Sequence, residues 1–230
     1  MFRLVFSILG LLFVIPIFSQ EKLKKNLEPF KKLEITGQMT AEIAHGETFE
    51  VKAFFDDEDL NIDNLQFNYD DDELTIRYDG GLLRELAIHL EIKIPEITKI
   101  TARNRAEIRM KEAIGENYEA LIFHARSGGK MIARFNHVPW VKADIARGGS
   151  IRLIGSTPLL DLNIHSGGSI GAVRTKAERI NANISMGGEI ICRPDKVLNA
   201  RIRGGGTIFY EGEPELIEED IRLGGNLEKI

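Results

Sequence analysis

Asp144 and Asp161 are the two carboxylates best placed to do chemistry, with Arg126, Arg147 and Arg203 close by in the repeat scheme set out below. Paired carboxyls and basic groups are what cleavage of an acidic polysaccharide needs: one carboxyl transfers a proton while cations hold the sugar acids. A second candidate is the run Asp56–Glu73 (DDEDLNIDNLQFNYDDDE), nine carboxylates with no basic residue, which opens like a calcium loop at Asp59, Asn61 and Asp63. Asn64 and Asp70 then occupy the places where such a loop requires Gly and Glu. The run is expected to form solvated turns between strands. His45, His89, His124, His137 and His165 show no metal-ligand spacing, so no metal and no cofactor is expected. Cys192 is the only thiol; it excludes an intramolecular disulfide and takes an apolar position, so it is expected to be buried and inert.

What positions these residues is a repeat. Paired glycines recur at Gly128-Gly129, Gly148-Gly149, Gly167-Gly168, Gly187-Gly188, Gly205-Gly206 and Gly224-Gly225, an almost constant spacing. A fixed period of this size marks a solenoid, whose units bury their apolar faces only by stacking on neighbours. Within each unit the apolar spacing is two, as in Leu121, Phe123, Ala125 and in Ile180, Ala182, Ile184, so the units are strands. An apolar residue three places beyond the first glycine (Met131, Ile151, Ile170, Ile190, Ile208, Leu227) restarts the strand. Strand, tight corner and strand in about 20 residues is one coil of a parallel β-helix with coils about 4.8 Å apart. The fold class expected is all-β, a right-handed parallel β-helix, with irregular coils over residues 30–119 and Gly-Gly coils over 120–230. Asn104-Arg105-Ala106 reads as a corner whose glycines have been replaced.

Export is expected from the segment Met1–Ser19, where Arg3 precedes an apolar run from Leu4 to Phe18 and Ser19 precedes polar residues. The run is shorter than the roughly 20 residues of a bilayer span, so a signal peptide over 1–19 is the reading, followed by a charged leader over 20–29 and one domain over 30–230. After cleavage no membrane-spanning segment is expected to remain. The localisation expected is outside the cytoplasm: periplasm, outer surface or medium.

Phe30-Lys31-Lys32-Leu33-Glu34-Ile35-Thr36-Gly37, Asp72-Glu73-Leu74-Thr75-Ile76, the Gly-Gly-x-Ile series and Phe209-Tyr210-Glu211-Gly212 resemble the auto-transporter adhesin family called the head GIN domain. The resemblance spans nearly the whole mature chain. It implies an exported right-handed β-helix of the bacterial envelope, adhesin-like, with no catalytic residues to carry over. Asn104-Arg105-Ala106 and Met186 depart from the usual pattern of small residues at the corners.

Charge narrows the partner. The chain carries a net charge of −5, which argues against nucleic acid, yet residues 120–210 hold 13 Lys/Arg against 5 Asp/Glu and residues 211–230 hold 2 against 7. A basic body between acidic ends suits an anionic envelope glycan, since guanidinium groups pair with carboxylates bidentately. The candidate ligand-binding residues are Arg126, Arg147, Asn163, Asn183, Arg201 and Arg203, with an envelope polysaccharide or protein as partner. Short regular coils leave no walls for a catalytic cleft, so a non-catalytic scaffold is expected, with a carbohydrate-active enzyme (lyase or hydrolase) as the alternative. Ile132, Ile191 and Phe209 form an outward apolar row, interrupted by Arg152 and Gly171, that would serve self-association unless a bend turns it inward. Trp140 either packs a coil corner or stacks on a sugar. Glu218, Glu219 and Asp220 are expected to blunt the last strand edge.

Overall fold

The computed structural model describes residues 21–56, 60–80, 87–115 and 117–230. The signal peptide expected over 1–19 therefore lies outside the described residues, and part of the acidic run, 57–59, does too. Among the described residues eighteen strands form one continuous wound sheet. They are β1 (Glu21–Asn26), β2 (Lys32–Thr36), β3 (Thr40–His45), β4 (Glu50–Phe55), β5 (Leu65–Asp70), β6 (Glu73–Tyr78), β7 (Ile88–Ile94), β8 (Lys99–Arg103) and β9 (Glu107–Met110). They continue as β10 (Ala120–Arg126), β11 (Lys130–Arg134), β12 (Trp140–Ala146), β13 (Ser150–Ile164), β14 (Ser169–Ile184), β15 (Glu189–Ile202), β16 (Thr207–Tyr210), β17 (Leu216–Ile221) and β18 (Asn226–Lys229). Alternation dictates the strands and stacking closes the core: every second residue is apolar, and equivalent residues of successive coils pair in parallel register, as in Leu121↔Val141↔Leu160↔Ile180↔Leu198. Those five are all at most 1% exposed. The fold is a parallel β-solenoid, as the glycine period predicts.

Two long faces result. One carries β2, β8, β10, β12, the second halves of β13, β14 and β15, and then β17; the other carries β3, β9, β11, the first parts of β13, β14 and β15, and then β16 and β18. The paired glycines form the corners between them. Gly148 and Gly149 have φ of +77° and +120°, values that favour glycine. The two play different parts. A Cβ on Gly148 would meet nothing within 4 Å, whereas one on Gly149 would lie 2.5 Å from the Gly129 carbonyl oxygen of the coil beneath. In the corner without glycines, Asn104 and Arg105 hold φ of +53° and +68°, so the left-handed turn persists. The Met186 departure places an apolar side chain on the outside of a corner, 64% exposed.

The N-terminal third does not follow chain order. The coil made by β6 and β7 lies outside the coil made by β2 and β3, and β8 and β9 stack on the opposite side of it. The excursion that builds it ends in antiparallel strands, β5 on β6 and β4 on β7, and β1 in turn on β4. The charged leader of the sequence reading is thus a strand of the end cap over Glu21–Asn26, and Leu27 and Phe30 are buried behind it. The acidic run supplies a short 3-10 turn, Ile62–Asn64, in which the Asn61 side chain accepts a hydrogen bond from the Asp63 amide, and then β5. Among the described residues the opposite end has no such cap.

A candidate ligand face of stacked polar side chains

Outward residues of β10, β12, β13, β14 and β15 stack in register just as the inward ones do. His124, Asp144, Asn163, Asn183 and Arg201 occupy one row, and Lys142, Asp161, Asn181 and Asn199 the next. In a parallel stack each side chain meets the same position one coil away, so amides can bond amides. Asn183 Nδ2 donates to Asn163 Oδ1 at 3.0 Å, and Asn163 Nδ2 to Asp144 Oδ1 at 2.8 Å. In the adjoining row Asn199 donates to Asn181 and Asn181 to Asp161, both at 2.7 Å. Every amide points its donor toward the N-terminal end, and each ladder terminates on a carboxylate. An amide has two N–H donors, so one per rung remains for a ligand. These rows line an open groove of about 620 Å³ that also includes Arg201, Glu218 and Asp220.

The carboxylates that suggested catalysis are occupied. Asp144 is approached by His124 Nε2 at 3.1 Å and Lys142 Nζ at 3.1 Å, besides Asn163. Burial pushes its carboxyl up, but the hydrogen bonds from His124, Lys142 and Asn163 outweigh this and hold it below the usual carboxylate range. Asp161 accepts from Asn181 and from Trp140 Nε1 at 2.7 Å. Trp140, offered by the sequence as corner packing or sugar platform, is half-buried and braces this row.

Of the six residues singled out in the sequence, the fold brings together three: Asn163, Asn183 and Arg201 stand on consecutive rungs of one row. Arg201 also faces Asp220, Nε to Oδ2 3.6 Å. Arg126 pairs with Ala146 at the edge of this face, Arg203 follows Arg201 by two residues just past the end of β15, and Arg147 sits on a corner with φ of +61°, so these three stand off the two ladder rows. Cys192 is fully buried, and burial pushes its thiol up to about 12, which leaves it inert. Asn181 and Asn199 recur with a period close to that of the glycines and are outward by the same spacing as Asn163 and Asn183; what the spacing does not give is the side-chain bonding that joins them into a ladder. Sequence reasoning missed a group beyond its reach: donor atoms of Glu42, His89 and Glu91 lie within 4.8 Å of one another because β3 and β7 are neighbours. Lys111 Nζ stands 2.6 Å from Glu42 and 3.9 Å from Glu91, so the carboxylates there already hold an ammonium.

A regular solenoid with stacked polar side chains along one face is, as a class, a β-solenoid repeat protein. The sequence profile of the family described as "Putative auto-transporter adhesin, head GIN domain" matches residues 29–214, and the chain belongs to that family. Solved structures share the fold. A "putative adhesin" from Bacteroides fragilis superposes with a TM-score of 0.74 at 16% identity, covering 90% of this chain and 95% of that one. A "putative lipid binding protein" from Parabacteroides distasonis gives 0.71 at 18% identity with the same coverage. A "putative adhesin" from Parabacteroides merdae gives 0.68 at 19%, again over 90% and 95%. Among curated proteins none matches the chain. Among the described residues no helix is long and apolar enough to cross a membrane.

Proposed function

We propose that the chain is an exported, non-catalytic, adhesin-like scaffold of the cell envelope whose ladder face holds an extended acidic glycan. The observation that carries this reading is the pair of amide ladders, which present a spare N–H about every 4.8 Å along the axis. An extended polysaccharide lying along the axis would meet an equivalent donor at each step, and Arg201 and Lys142 would hold its carboxylates. The low-lying Asp144 carboxyl supports the non-catalytic side, because a proton donor needs a raised value.

The test is calorimetric titration of residues 20–230 with a polyuronate and with a neutral glucan. Expected is binding of the polyuronate alone, weakened by salt and reduced about tenfold or more in the triple variant Asn163→Ala, Asn183→Ala, Arg201→Ala. Equal binding of both polymers, or no effect of the triple variant, sinks the assignment of the site.

A further inference from the structure

The other long face carries a different chemistry, independent of the ladder. Its central outward row reads Arg109, Ile132, Arg152, Gly171, Ile191, Phe209 from coil to coil. Ile132, Ile191 and Phe209 are half-buried and point out, so the row anticipated from the sequence does not bend inward. A Cβ at Gly171 would meet nothing within 4 Å, which leaves a notch between Arg152 and Ile191. This row floors part of an open groove of about 590 Å³. From Ile132 to Phe209 the strip, broken by Arg152 and the Gly171 notch, runs about 19 Å.

Arginines interrupt the strip and line one flank of it, while Glu189 stands on the other flank and Glu228 follows Phe209 in the row. Arg109 and Arg152 lie in it, and Arg174 and Arg193 flank it; all four are exposed. Among the described residues none of the four makes an ion pair or a side-chain hydrogen bond, whereas Lys130 and Glu107 on the other flank neutralise each other at 2.6 Å. Guanidinium groups of one sign, unpaired and set in and beside an apolar strip, are complementary to a partner that is anionic and apolar at once. A glycan supplies only the charge. We propose that this face docks on a lipid surface carrying anionic headgroups, with the arginines forking onto phosphate oxygens and Ile132, Ile191 and Phe209 entering the headgroup–acyl boundary. Bound this way, the chain turns the amide ladders away from the membrane.

Flotation with phosphatidylglycerol vesicles and with phosphatidylcholine vesicles tests it on residues 20–230. Expected is flotation with phosphatidylglycerol only, reduced about tenfold or more by Arg152→Glu with Arg174→Glu and also reduced by Ile191→Ser. Arg126→Glu with Arg203→Glu makes the same change in net charge on the ladder face and is expected to leave flotation intact. Equal loss in the two double variants would mean unspecific attraction and overturn the assignment. So would full displacement by inorganic phosphate at matched ionic strength, which marks a free-phosphate site. Self-association that Ile191→Ser abolishes, without vesicle binding, would assign the strip to a second copy instead. Circular dichroism of each variant separates misfolding from lost docking.

Discussion

Asp144 shows how a side chain that looks catalytic becomes structural once its neighbours are in place. It accepts from an imidazole, an ammonium and an amide, and it anchors one end of an amide ladder. Its carboxyl is held below the ordinary 3.8, so the folded state binds this proton less readily than the unfolded chain. The stability that Asp144 contributes is therefore fully present above the unfolded value and is lost as pH falls through the lower folded value. Asp144→Asn should cost about 1–3 kcal/mol at pH 7, read from urea unfolding, and the gap to the parent chain should narrow as pH is lowered below about 4. A gap that stays constant down to pH 3 would mean that the charge on Asp144 is not what stabilises it.

At the scale of the element, the corner decides whether coils can stack. Two adjacent glycines do separate jobs there: the first only turns the chain, the second also lets one backbone settle onto another. Gly148→Ala has open space and should cost about 1–2 kcal/mol for its left-handed φ alone. Gly149→Ala must also displace the Gly129 carbonyl, a backbone atom held by the Ser150 amide at 3.0 Å, and should cost distinctly more, about 3 kcal/mol or above. Equal losses in the two variants, measured by denaturant midpoint, would remove stacking as the reason for the second glycine. Arg147 already tolerates φ of +61° beside Gly148, which fits the milder expectation for the first position.

The whole molecule is asymmetric. One end is closed by antiparallel strands, with Phe30 and Phe49 packed in the adjoining connections, their rings 5.0 Å apart, while the other ends on β17 and β18 with no strand beyond them among the described residues. Leu216, Ile217, Ile221, Leu223 and Ile230 are all exposed there. Of the three acidic residues that the sequence suggests as edge protection, Glu219 holds the decisive position. It aligns with Ala200 and Ala182, both inward, so its carboxylate stands over the open end of the core. A charge pointing inward on an edge strand makes any further pairing bury it. Glu219→Val should associate with rising concentration in light scattering, and Glu218→Val, which changes an outward residue, should not. Association of both to the same degree would assign the protection to net charge rather than to position.

Apolar spacing of two and the regular recurrence of paired glycines determine the coils, their corners and their shared interior, because both follow from local backbone geometry and from which residues water expels. That is why Leu121, Ile180 and Gly149 could be placed from the sequence by number. The threading of the first coils could not be placed: β6 and β7 lie beyond β2 and β3 only because antiparallel strands must close the core at that end, and no local pattern encodes such an order. The functional surfaces depend on the same kind of fact. Asparagines a full repeat apart become one ladder, and four unpaired arginines become one face, only when the winding brings each coil into register with the next; contact between distant segments is decided by packing, which the tertiary structure alone settles.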